Sequence, residues 1–181
     1  VLPLAALAIL PTFGCAHRAP APRPAVSPPM VSPPPVSAAD RAYASGGAAM
    51  AEANYERALE MFTTAWKESP GHPGVAGDFP EALARLKNSG DESFRLGRLE
   101  EAGRRWSAAV RFLAHPAEKG KALPFTKADL RGSIDRLSAS LMEKGVVEYR
   151  KGDLEAAIAS WRSILAYDPS HAEAARSVQT A

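Results

Sequence analysis

The side chains able to do chemistry are few. Cys15 is the one thiol, the histidines are His17, His72, His115 and His171, and the carboxylates are interleaved with basic residues. A single cysteine excludes an internal disulfide framework and a multi-thiolate zinc site. No two histidines have the spacing at which a helix offers two metal ligands on one face. His72 and His115 each precede a proline and His171 opens the last predicted helix, so each reads as a solvated loop residue. Glu100 and Glu101 with Arg104 and Arg105 are typical of the carboxylates: they read as a helix surface, where exposed ion pairs contribute little. Gly71, Gly74 and Gly77 flank Pro73 with no following Lys-Ser/Thr, so there is no phosphate-binding loop. No serine sits in a nucleophile signature. The chain therefore reads as non-enzymatic, with no metal, no cofactor and no small-molecule substrate.

Charge removes another class. Lys and Arg total 22 against 20 Asp and Glu. Residues 1–37 carry Arg18 and Arg23 and no acid, so the remainder is formally neutral and lacks the basic excess that nucleic-acid binding needs. Val1 to Leu10 is almost wholly apolar, about the length of a secretory-signal core and short of the 20 or so residues of a membrane span. Thr12-Phe13-Gly14-Cys15 follows, with a small residue directly before the cysteine. This stretch resembles the lipobox of bacterial lipoproteins, with Thr12 and Phe13 where that family usually has Leu and a small residue. The resemblance implies residues 1–14 as a lipoprotein-type signal peptide and Cys15 as the lipidated first mature residue. With Ala16 next, it also implies an outer-membrane lipoprotein of the cell envelope facing the periplasm. The alternative is an incidental thiol at the end of an ordinary cleaved signal.

Residues 15–37 then form a tether. Eight prolines lie between Pro20 and Pro35, and proline supports neither helix nor sheet, so a disordered, extended linker with polyproline II character is predicted. The 22 residues after Cys15 reach roughly 70 Å when fully extended. Ser32-Pro33-Pro34-Pro35 as a ligand for another domain is the sharper but less common role.

Residues 38–181 carry one pattern three times. Gly46, Ala58 and Phe62; Gly90, Ala102 and Trp106; and Gly145, Ala157 and Trp161 have the same offsets, extended by Ala65, Ala109 and Ile164 three residues after each aromatic. Gly and Ala let two helix backbones approach, and the aromatic is expected to fill the gap to the next helix. Trp66, Trp106 and Trp161 are expected in the core. Asn54 and Asp153 are N-cap residues, and Thr126 with Asp129, and Ser170 with Glu173, have capping-box spacing. Asp78 with Glu81 opens a further helix with Pro80 in its first turn. Helices are predicted near 38–52, 54–68, 79–96, 99–114, 127–151, 154–167 and 170–180.

The triples resemble the tetratricopeptide repeat (TPR), an antiparallel helix pair of about 34 residues. Leu141 to Pro169 is the nearest copy, with Gly145, Tyr149, the turn Lys151-Gly152-Asp153, Leu154, Ala157, Ile158, Trp161, Leu165, Asp168 and Pro169. The resemblance implies an all-α fold: a short α-solenoid of three repeats at about 39–70, 83–116 and 138–169, with a C-terminal capping helix at 170–181. Gly46 to Gly90 spans 44 residues and Gly90 to Gly145 spans 55, so insertions are expected at Gly71 to Asp78 and at about His115 to Thr126, with a lengthened helix.

In proteins resembling this one, the first helix of each repeat lines a concave groove. Transferred by position, that register gives Asp40, Tyr43, Gly47, Met50 and Ala51; then Ala84, Lys87, Asp91, Phe94 and Arg95; then Ala139, Met142, Val146, Tyr149 and Arg150. The candidate peptide-binding residues are thus Tyr43, Met50, Lys87, Asp91, Phe94, Arg95, Met142, Tyr149 and Arg150. Packing against a neighbouring repeat is the competing role for Phe94, Met142 and Tyr149. Lys87 and Asn88 fit the carboxylate clamp of chaperone-binding members, but Ala139 and Glu143 stand where the clamp needs cations, and it is rejected. The implied function is a non-catalytic protein–protein interaction scaffold in the envelope, membrane-attached by its lipid, whose partner is another protein or peptide segment. A soluble or cell-wall-associated periplasmic accessory protein is the alternative.

Overall fold

The structure, a computed structural model, describes residues 36–120 and 122–181. Cys15, the signal segment and the Pro-rich tether lie outside the described residues. The described chain is all-helical. It runs α1 (Ala38–Ala51), α2 (Tyr55–Glu68), α3 (Pro73–Arg95), α4 (Leu99–Phe112), a short 3-10 helix (Pro116–Gly120), α5 (Lys127–Arg150), α6 (Leu154–Leu165) and α7 (Ala172–Thr180).

Helices pair in chain order into three hairpins, α1 with α2, α3 with α4 and α5 with α6, each packing on the next, and α7 packs on α6. One turn makes all three hairpins. Ala53, Gly97 and Gly152, each seven residues after the glycine of its triple, have φ of 56°, 72° and 84°. The following amides reach back to the preceding helix, Asn54 N–H to Ala49 C=O, Arg98 N–H to Ser93 C=O and Asp153 N–H to Glu148 C=O, at 2.9, 2.9 and 3.0 Å. This left-handed C-cap satisfies the last carbonyls and reverses the chain within three residues. Asn54 and Asp153 then cap α2 and α6 by accepting from Arg57 N–H and Ala156 N–H, while Arg98 supplies no side-chain cap.

Close approach within each hairpin follows from the glycine. A Cβ at Gly90 would stand 2.7 Å from the Trp106 indole, and one at Gly46 or Gly145 would fall into the Phe62 or Trp161 ring. The aromatic of each triple therefore sits on its own hairpin's glycine, where the sequence reading sent it toward the next helix. Ala58, Ala102 and Ala157 are fully buried, as are Ala65, Ala109 and Ile164. Trp106 and Trp161 are core, whereas Trp66 is half-buried with its ring edge-on to His115.

The first long spacing is resolved as helix, and the second as helix together with the segment from residue 113 to 126, which holds the short 3-10 helix. Pro73 precedes Gly90 by 17 residues and Lys127 precedes Gly145 by 18, against 8 from Ala38 to Gly46. The expected insertion at Gly71 to Asp78 is thus the start of α3. Pro73 at the first helical position is pre-set for a helix, and His72 caps it through Nδ1, which accepts from Val75 N–H at 3.3 Å. Val75 and Phe79 are fully buried, and the Tyr43 ring leaves room only for a glycine at 74. Pro80 lies inside the helix, where it forgoes one backbone bond, and Asp78 does not cap but accepts from Tyr43 O–H at 2.6 Å.

At α5 the Thr126–Asp129 capping box forms as expected, and its bonds hold the Asp129 carboxyl below the ordinary carboxylate range. The Ser170–Glu173 box does not form. His171 caps α7 by accepting from Ala174 N–H at 3.2 Å, and Ser170 donates to Asp168 instead. His115 likewise accepts from Ala117 N–H at 3.2 Å and stacks on Phe79. These three histidines end or begin helices through Nδ1 and are not idle loop residues.

Candidate functional site

A cleft of about 460 Å³ opens between the second and third hairpins. Asp91 and Phe94 of α3, with Leu99 and Trp106 of α4, form one wall. Ser133, Arg136, Leu137 and Ser140 of α5 form the other. The α5 residues have helical spacing and so share one face. Ser133 and Arg136 belong to the extra turns that lengthen α5 at its start.

The wall is rigidly assembled. The Trp106 indole lies on Gly90 and donates Nε1–H to Asp91 at 3.0 Å, and the same carboxylate accepts from Lys87 Nζ on its other oxygen. Asp91 is thereby neutralised from within its own hairpin. Phe94 tilts onto Trp106 with centroids 5.6 Å apart, yet remains 49% exposed. Across the cleft Leu137 is buried, and Arg136 makes no ion pair among the described residues, its guanidinium donating to Ser133 Oγ at 3.2 Å. The result is an apolar floor with one uncommitted cation at its edge.

The matching positions between the first and second hairpins are differently filled. Tyr43, which stands where Lys87 stands in the second hairpin, bridges from α1 to Asp78 and packs against Gly74. Its hydroxyl pKa is raised, chiefly by the bond to Asp78 and then by burial. Glu81 and Arg85, at the positions of Arg136 and Ser140, pair with each other. Among the described residues no uncommitted cation stands at those positions, while Glu52 at the same junction makes no ion pair.

Of the sequence-predicted residues, only Asp91 and Phe94 line the cleft, with Lys87 bonded to Asp91 and beneath the Phe125 ring. Tyr43 is committed to the junction of α1 with α3. Met50 and Met142 are half-buried against the core, and the Met142 carbonyl accepts from Trp161 Nε1–H. Arg95 is exposed and paired with Glu92, while Tyr149 and Arg150 are exposed on the third hairpin. Phe94 and Tyr149 each pack on the Trp of their own hairpin, where the sequence reading weighed packing against a neighbouring repeat, and each stays exposed. Leu99, Trp106, Ser133, Arg136, Leu137 and Ser140 were missed. The spacing of the α5 residues was visible, but the transferred register began only at Ala139, beyond the helix extension.

Among the described residues no three His, Cys, Asp or Glu side chains converge as a metal site requires, and no helix is long and apolar enough to cross a membrane. No family model matches this chain, and no curated protein matches it.

Proposed function

We propose that this chain is a non-catalytic interaction module that holds an apolar segment of a partner protein in the cleft between its second and third hairpins. The carrying observation is the cleft itself: Phe94, Leu99, Trp106 and Leu137 offer apolar surface, and Arg136 at the rim has no carboxylate among the described residues. Its volume is in the range of small ligand sites, about 300–1,000 Å³, and suits one or two large side chains of a peptide. A segment with an apolar anchor and a nearby Asp or Glu matches it, since Asp91 is already neutralised by Lys87 and Trp106.

The finer architecture belongs to the same proposal. Three hairpins with one repeated turn, one repeated glycine seat and successive stacking support the reading as a short TPR-like solenoid with α7 as its cap. The lipobox-like Thr12 to Cys15 stretch and the Pro-rich segment support an outer-membrane lipoprotein on a Pro-rich tether, facing the periplasm and assisting assembly of an envelope complex.

The test places a photo-crosslinking amino acid at Ser140 in the full-length chain in cells, with Phe94→Asp as the cleft variant. A discrete envelope protein captured by the parent and lost in Phe94→Asp is the expected result. Equal capture by both refutes the cleft. Separately, Cys15→Ala is expected to move the protein out of the membrane fraction, and an unchanged fraction removes the anchor.

A further inference from the structure

Each connection out of a hairpin carries a histidine. His72, His115 and His171 stand 26, 25 and 26 residues after Gly46, Gly90 and Gly145. In all three the Nδ1 atom accepts from a backbone amide, Val75 N–H at 3.3 Å, Ala117 N–H at 3.2 Å and Ala174 N–H at 3.2 Å. An imidazole that accepts at Nδ1 is neutral, because the charged ring is a donor at both nitrogens. A proton taken up at any of the three joints therefore sets donor against donor.

The joints differ in what else faces the ring. His72 Nε2 lies 3.3 Å from an Asp40 oxygen, and His171 borders a recess that Asp135, Asp168 and Glu173 also line. Carboxylates at these two joints compensate a protonated ring. His115 is half-buried, and no carboxylate acts on it.

The His115 ring stacks on Phe79 of α3 with centroids 4.7 Å apart and meets the Trp66 ring of α2 edge-on at 6.0 Å. Lys67 of α2 is the charged group that acts on it. The neighbouring acids of α3, Asp78 and Glu81, are bonded to Tyr43 and Arg85, and Arg111 of α4 is paired with Glu56. Glu118 and Lys119 of the 3-10 helix are not among the charges that act on the ring. The face of Phe79 attracts a cation, but burial, and then Lys67, outweigh it and hold the His115 pKa below 6.5. Acid accordingly favours the state in which the ring has left its seat.

The joint that His115 holds is also the one across which the cleft forms. The 3-10 helix packs on α3 with Ala117 buried, and Phe125, just before α5, is buried with its ring centroid 5.9 Å from Lys87 Nζ. Lys87 holds Asp91, and Asp91 holds the Trp106 indole in the cleft wall. We propose that His115 is a proton-sensitive latch on the joint between the second and third hairpins, and that its release on acidification loosens the cleft. The consequence for a bound partner rests on the reading of the cleft as a binding site, whereas the latch is tested with no partner present.

Hydrogen exchange of the full-length chain at about pH 7.4 and about pH 5, read by mass spectrometry and corrected for the intrinsic effect of pH, measures opening of the joint. At about pH 5 a released imidazole of pKa 6.5 is charged over neutral by about thirtyfold, the ceiling on the shift in the opening equilibrium. A loss of protection of about threefold or more is expected over residues 113–120, with no comparable loss over 72–79, where Asp40 faces His72. His115→Asn offers Ala117 N–H an amide oxygen that does not titrate, and His115→Phe keeps a ring on Phe79 that does not titrate; both are expected to abolish the pH effect. Radical footprinting is expected to show Trp106, 4% exposed, oxidised faster at the lower pH in the parent and not in these variants. No loss of protection, an equal loss over 72–79, or a loss that persists in both variants overturns the latch. Opening of the joint with Trp106 unchanged overturns its link to the cleft. Failure to capture a partner through Ser140 overturns the binding reading alone, since neither measurement contains one.

Discussion

Replacing Gly46 and Gly47 by alanine, one at a time, is expected to move stability in opposite directions although the two are neighbours in α1. Alanine is preferred to glycine inside a helix by about 1 kcal/mol. Gly47 is exposed and a Cβ there meets nothing within 4 Å, so Gly47→Ala realises the gain. For a chain of this size that is a rise in Tm of about 3 °C. At Gly46 the new methyl falls into the ring of Phe62, which is fully buried and flanked by Tyr43 at 5.7 Å, so the ring cannot swing aside. Overpacking of this kind costs about 1–3 kcal/mol, and a rigid ring places it at the upper end. After the propensity gain, Gly46→Ala loses about 1–2 kcal/mol, a fall in Tm of about 3–6 °C. Urea and thermal unfolding followed by far-ultraviolet circular dichroism measure both. In a Phe62→Leu background the Gly46→Ala penalty should shrink, because the two residues touch. A Gly46→Ala protein as stable as the parent refutes the reasoning, since α1 and α2 would then not meet through that glycine.

Three further outcomes are expected. Ala53→Gly relieves a Cβ at φ 56°, worth about 1–2 kcal/mol, less the added freedom of the unfolded glycine; a net gain of about 0.5–1 kcal/mol should appear in calorimetry, and a loss would contradict the shared turn. Thr63→Val removes a hydroxyl that is buried with no partner among the described residues, so the urea midpoint should rise by the equivalent of about 1 kcal/mol, and a fall would mean the hydroxyl is satisfied. Burial, and secondarily the charge of Lys67, holds the His115 pKa below its ordinary 6.5, so the unfolded chain takes up the proton first. The His115 contribution is complete above pH 6.5 and is lost as pH falls below that value through the folded pKa, where Nδ1 also ceases to accept from Ala117 N–H. His115→Asn should flatten the dependence of stability on pH between about 7 and 5, whereas an unchanged slope assigns the titration to another group.

Several elements were legible because their causes are local. The Gly, Ala and aromatic triples repeat at offsets that only helix pairs satisfy, and Asn54, Asp153 and the Thr126–Asp129 box cap helices through residues three apart. Gly152 marks the third turn in the sequence, but its identity with the turns at Ala53 and Gly97 is not visible there, because an alanine carries no turn signal of its own. Errors arose where tertiary contact outweighs local preference. Asp78 and Pro80 look like a helix opening, yet Tyr43 draws Asp78 into a bond 35 residues away and the burial of Val75 and Phe79 carries the helix back to Pro73. His72, His115 and His171 look like solvated loop residues in the sequence because a histidine cap is a minor preference that becomes visible only with Nδ1 on a backbone amide.

The candidate site divides along the same line. Sequence alone determines that the described part of this protein is built of helices, which residues bring those helices together, and that Asp91 and Phe94 fall on one face of α3, because helical period and steric bulk act over a few residues. Only the tertiary structure decides that Arg136 faces Phe94 across a cleft while Glu81 in the same place is paired. That difference depends on how the opening turns of α3 and α5 lie along the hairpin before them, which is set by the packing of whole helices and not by any residue's own preference.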